Sequence, residues 1–150
     1  MTRILREIQL SEAAVRVGAS FAEAAAALES TAAAMVAILD EEDKVVGLFG
    51  AEHALRGLLP RYLGELRHTA FARDDADLLA GRAEAVRAEP VERHCAKAVT
   101  VDADASAIHV GEIFLHCGLP GVAVVEKGRF VGVLDRGDLA RALLRRAGGA

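Results

Sequence analysis

The sequence predicts a mixed α/β (α+β) fold built from two tandem β-α-β-β-α units, and three observations carry that reading. Segments 14–59 and 98–144 match each other at a shift of about 85 residues. Each holds a pair of short apolar, β-branched runs separated by a tight polar turn. Each is closed by a leucine-bearing amphipathic stretch.

The elements follow in order. Ala14-Val15-Arg16-Val17 falls on Ala98-Val99-Thr100-Val101, so 15–17 and 99–101 are expected as the opening strands, with two residues lost from the first unit in the loop after Val17. Ser20 falls on Ser106, and each is placed to cap the helix that follows, because a serine hydroxyl accepts from an otherwise unpaired N–H of the first turn. The first of these helices is expected over 21–33. Residues 35–40 and 122–126 are apolar runs ending in an acid, followed by turns at 41–44 and 127–129 and second runs at 45–49 and 130–134. Two strands joined this tightly make a hairpin. Leucines at 55, 58 and 59 and at 139, 143 and 144 then predict a closing helix with one buried face. The glycines inside the second hairpin strands, Gly47 and Gly132, mark the close approach of either a backbone or a ligand.

The organisation is therefore unit 1 over 1–59, a connector over 60–90 and unit 2 over 91–147. The connector is partly helical over 76–89, where Leu78, Leu79 and Val86 are the apolar residues, and Tyr62 and Phe71 are expected to pack it against the units.

Composition excludes several classes. Of 150 residues 53% are apolar, but 31 are alanines, so the large side chains suffice for one compact core and no more. The net charge of −4 gives no field toward nucleic acid or an anionic membrane, and 4% aromatics leave no base-stacking platform. The longest uncharged apolar run, 32–39, is far short of the roughly 20 residues that span a bilayer. The opening residues interleave charges with apolar side chains, unlike a signal peptide, and two cysteines fit a reducing compartment. A cytoplasmic protein is expected.

His94-Cys95 and His116-Cys117 together carry a zinc-competent set of atoms, but neighbouring side chains point apart and the spacing is that of no metal motif. Packing or surface positions are the expectation, with no metal and no Cys-His nucleophile. Arg141 and Arg145, with Arg146 beside them, read as a solvated helix end opposing the dipole's negative pole.

The run from Phe114 to Leu139, with its helix end, hairpin, Gly132-Val133-Leu134-Asp135-Arg136-Gly137-Asp138 segment and leucine-rich close, resembles the second half of a CBS domain. The first unit resembles a more divergent copy, and the two together resemble a stand-alone CBS pair, or Bateman module. The resemblance implies two repeats packed with pseudo-twofold symmetry, sheets back to back, with two clefts between them. It further implies a non-enzymatic regulatory module that binds an adenosine-containing ligand (S-adenosylmethionine, adenosine or AMP/ATP), needs no cofactor, forms a homodimer through its helices and signals to a protein partner. The alternative is a ligand-free interaction protein that has lost its sites.

Carried over residue by residue, the resemblance makes Asp138 the acid that takes the ribose hydroxyls, with a helix N-cap as its other reading. Asp135 stands where the family offers Ser or Thr to phosphate. In the first repeat the same positions are Gly50 and His53, so one ribose anchor remains. The adenine wall is expected from the opposing repeat, at Val15, Ala33, Ala34 and Met35.

Overall fold

The computed structural model of the chain describes residues 4–59 and 76–149. Its elements are α1 (Ile4–Glu7), β1 (Ala14–Arg16), α2 (Phe21–Glu29), β2 (Met35–Leu39), β3 (Val45–Gly50), α3 (Ala51–Leu58), α4 (Ala76–Val86), β4 (Ala96–Lys97), β5 (Thr100–Asp102), α5 (Ala107–Cys117), β6 (Gly121–Glu126), β7 (Arg129–Asp135) and α6 (Arg136–Gly148). A 3-10 turn at Val91–His94 precedes β4. The order β-α-β-β-α thus occurs twice, at β1–α3 and at β5–α6. Tyr62 and Phe71 lie outside the described residues.

Both serine caps form: Ser20 Oγ accepts from Glu23 N at 3.1 Å and Ser106 Oγ from His109 N at 3.2 Å, each contributing about 1 kcal/mol to its helix. Helix α2 is shorter than its alanines suggest. It ends at Glu29, where Ser30 N donates to Ala26 O, and residues 31–34 form the approach to β2 instead of more helix.

The strands form two sheets, β1-β2-β3-β4 and β5-β6-β7. In each, the opening strand runs parallel to the first hairpin strand, with Ala14 opposite Ala37 and Thr100 opposite Ala123. That register makes Val15 the counterpart of Val101, not of Val99, and removes the two-residue deletion expected after Val17. Short β-branched strands slide by two residues without changing which face is apolar, so the pattern alone does not fix the register.

Each sheet is extended by the segment preceding the other unit. Ala96 of β4 pairs with Leu48 of β3, and Ser11 pairs with Val133 of β7 through bonds of 3.1 and 2.7 Å. The glycines next to these contacts make the crossing sterically feasible. A Cβ on Gly132 would lie 2.5 Å from Leu10 Cβ and 3.1 Å from Ser11 O; one on Gly47 would lie 2.8 Å from Cys95 Sγ and 3.2 Å from Ala96 O. Both glycines serve the close approach of a neighbouring segment, side chain first and backbone just behind it.

The core has three parts. Phe21, Ile38, Phe49, Val86 and Val91 pack the first sheet under α2 and its neighbours, with the rings of Phe21 and Phe49 edge-on at 5.6 Å. Val101, Val110, Phe114, Val124, Leu134 and Leu139 do the same for the second, joined by Leu5 of α1. Between the sheets lie Met35, Ala37, Leu39, Leu48, Ala123 and Val133. Strand β2 therefore serves two cores with alternate residues, which is why all five of its side chains are buried.

The closing helices bury less leucine than expected. Leu139 is buried, but Leu55, Leu59 and Leu144 are 56, 41 and 71% exposed. In α3 the inward stripe is Ala54, Gly57 and Leu58, with Gly57 against the Phe21 ring, and Leu144 stands one residue off the stripe of Leu139 and Leu143. Among the described residues no helix is long and apolar enough to cross a membrane.

Candidate functional site

Helix α6 starts directly at the end of β7, which places Asp135 at its N-cap and Asp138 in its first turn. Neither carboxylate caps the helix. Asp135 Oδ1 accepts instead from Ala34 N at 2.9 Å, a bond that joins the two units across 101 residues of sequence. Asp138 Oδ1 accepts from Arg141 Nη2 at 2.6 Å, and its side chain is 41% exposed.

The two aspartates border a cleft of about 440 Å³. Arg141 and Arg145 continue the α6 wall, Thr31, Ala32 and Ala33 face it, and the N-terminal segment from Glu7 to Ser11 closes the side. Small hydroxyls hold the last two walls together: Ser11 Oγ and Thr31 Oγ1 are 3.1 Å apart, and Thr31 Oγ1 accepts from Ala33 N at 3.2 Å. Glu7 pairs with Arg146 at 3.0 Å and so fastens the N-terminal segment to α6.

Of the residues expected at the site, Asp135, Asp138 and Ala33 line this cleft, and Ala34 meets it through its N–H. Val15 and Met35 do not. Val15 packs on the Phe21–Phe49 core because β1 turns that side chain toward the helix layer. Met35, 1% exposed, fills the layer between the sheets. The sequence reading missed Thr31, Ser11 and the whole N-terminal wall. Gly132 was the available signal, since a strand glycine demands a close neighbour and the segment before β1 is that neighbour.

The equivalent place at the start of α3 has different chemistry. Gly50 is the N-cap, and its N–H donates to His53 Nδ1 at 3.0 Å. Burial holds the His53 pKa below its ordinary value of 6.5, with Glu52 opposing and Arg56 assisting. The methyl of Met35 would sit 3.0 Å from a Gly50 Cβ, so an inter-sheet side chain occupies this spot.

The His-Cys pairs are separately engaged. His94 Nε2 is 2.6 Å from Glu89 Oε2, with its ring edge-on to Phe21. His116 Nδ1 donates to Glu112 O at 2.7 Å. Burial, reinforced by Glu92, pushes the Cys95 thiol up, the opposite of what a nucleophile needs. Cys117 Sγ accepts from Leu119 N at 3.4 Å. Among the described residues no three His, Cys, Asp or Glu side chains gather closely enough to hold a metal ion.

The CBS domain family matches residues 91–145. No curated protein matches the chain in sequence. Among solved structures, the chain is similar to a CBS domain-containing protein of unknown function from Kribbella flavida, at a TM-score of 0.75 and 20% identity, covering 96% of this chain and 99% of that one. It is similar to the CBS-pair protein CBSX2 from Arabidopsis thaliana at a TM-score of 0.74 and 15% identity, covering 99 and 98% of the two chains. A structure of CBSX2 in complex with AMP superposes at 0.67 and 15% identity, covering 98 and 99%. Two β-α-β-β-α units, exchanging edge strands and stacking their sheets back to back, give this chain the fold of a CBS pair, and its second unit matches the CBS domain family.

Proposed function

We propose that this chain is a non-enzymatic regulatory module that binds an adenosine-containing ligand in the cleft beside Asp135 and Asp138 and transmits its occupancy to a protein partner. CBS domains are generally regulatory, non-catalytic modules, and CBSX2, of the same fold, is known in complex with AMP. The observation that carries the reading is Asp138: its first oxygen is held by Arg141, and the second remains to accept from a ribose diol. The two units are taken as 1–59 and 91–147, with 60–90 as connector.

The working assembly is a homodimer. Helix α2 presents Glu23, Ala26 and Glu29 outward, whereas Ile108 and Leu115 of α5 are 78 and 85% exposed, so α5 supplies the apolar contact surface. Sedimentation of the wild type and of Leu115→Glu checks this; a wild-type monomer at every concentration excludes it.

A thermal-shift screen with adenosine, AMP, ATP and S-adenosylmethionine tests the ligand reading, since a compound that binds only the folded state raises Tm. A flat response to all four favours the alternative, a ligand-free interaction protein.

A further inference from the structure

We propose that Arg145 is the anion-recognising residue of the cleft, and that the ligand is an adenosyl compound carrying a carboxylate or phosphate about 10 Å from its ribose. The proposal deepens the adenosyl reading and rests on it for the ribose anchor.

Four observations carry it. Asp138, Arg141 and Arg145 lie at helical spacings of three and four residues, and all three line the cleft. The cleft also runs on into a second cavity of about 320 Å³ between α6 and the N-terminal segment, and Arg145 borders both. Its neighbours are already neutralised, Arg141 by Asp138 and Arg146 by Glu7. Among the described residues Arg145 makes no ion pair or side-chain hydrogen bond, which leaves it as the uncommitted cation of the α6 wall.

At the other end stands the Asp135 carboxylate, with one oxygen on Ala34 N and, among the described residues, no cation paired to it. The cleft is therefore dipolar, negative at the start of α6 and positive two turns further on. Helical side chains lean toward the N-terminus, so the Arg145 guanidinium reaches back over the cleft. A substituent beside Asp135 is best neutral or cationic; one that extends along α6 is best anionic. A nucleoside bearing an amino-acid tail has this charge order, and a nucleoside polyphosphate satisfies only the distal half of it.

Calorimetry with 5′-methylthioadenosine, S-adenosylhomocysteine and ATP, on the wild type and on Arg145→Gln, reads the effect. The expected result is an advantage of about tenfold for S-adenosylhomocysteine over 5′-methylthioadenosine, since a hydrogen bond to a charged group is worth that much, and its disappearance in Arg145→Gln. If ATP shows the Arg145-dependent advantage instead, phosphate is the anion. Equal binding of all three, or an advantage that survives Arg145→Gln, overturns the role of Arg145 and leaves the adenosyl reading intact. Inorganic pyrophosphate, followed at the Arg145 side-chain Nε–H signal by NMR, separates the two failures. A shift lost in Arg145→Gln with no nucleoside bound keeps the anion site and removes the adenosyl anchor. An unmoved signal with no nucleoside bound overturns both.

Discussion

The same turn of the same element carries Asp135 and Asp138 at the start of α6 but Gly50 and His53 at the start of α3. At α3 the polar groups satisfy each other, Gly50 N on His53 Nδ1, and Met35 fills the space alongside. At α6 one carboxylate reaches across to Ala34 and the other stands 41% exposed in a cleft. The hairpin-to-helix joint needs only backbone bonds to form, so its side chains are free to close one site and keep the other open.

The largest expected effect separates the two halves at their exchanged edges. Gly132→Val drives a branched side chain into Leu10 Cβ and the Ser11 carbonyl, both backbone-linked atoms with no room to yield, and is expected to cost about 3 kcal/mol or more. Gly47→Ala meets first the Cys95 sulfur, a side-chain atom able to turn away, and is expected to cost about 1 kcal/mol. Urea unfolding of both variants measures the contrast; equal losses mean that the two edges are held equally rigidly.

Binding comes next. Asp138→Ala is expected to abolish adenosyl binding, whereas His53→Ala loses one helix cap, about 1 kcal/mol of stability, and leaves binding unchanged. Asp135→Thr keeps a hydroxyl for Ala34 N and removes a charge that repels a phosphate 4–5 Å away by roughly 3–4 kcal/mol at an effective dielectric near 20. The open cleft screens part of this, so an improvement of at least about tenfold in ATP affinity is expected by calorimetry. Tight ATP binding by the wild type, unchanged in Asp135→Thr, contradicts the charge argument.

What was legible in the sequence divides along physical lines. Serine caps, the hairpin turns and the duplication are local signals, and Ser20, Ser106 and both hairpins stand where the pattern put them. The register of β1 was not legible, because a two-residue slip preserves alternation. Nor was the cleft's third wall. Nothing in Glu7 to Ser11 announces that it crosses to the other unit, and only the demand of Gly132 for a close partner hinted at a visitor. Val15 and Met35 were misplaced for a related reason: small or flexible apolar residues suit an adenine wall and a core equally, and only the sheet's facing decides between them.

The smallest effect is a pH dependence confined to the closed site. His53 Nδ1 accepts from Gly50 N, so this nitrogen must be unprotonated for the cap to exist. Burial, the leading cause, lowers its pKa, and the Glu52 charge that opposes this is shared with Arg56 at 2.8 Å. Because the folded value lies below the ordinary 6.5, the unfolded chain binds the proton more readily. The stabilisation is then complete above 6.5 and is lost as the pH falls through the folded value. His53→Gln keeps an acceptor at the third helical position without titrating. Melting the two proteins at about pH 7.5 and about pH 5 gives a double difference in which the other histidines cancel. The wild type is expected to lose more Tm on acidification than His53→Gln. An equal loss means that the α3 joint does not depend on the neutral imidazole, and the closed site then holds by the packing of Met35 against Gly50 alone.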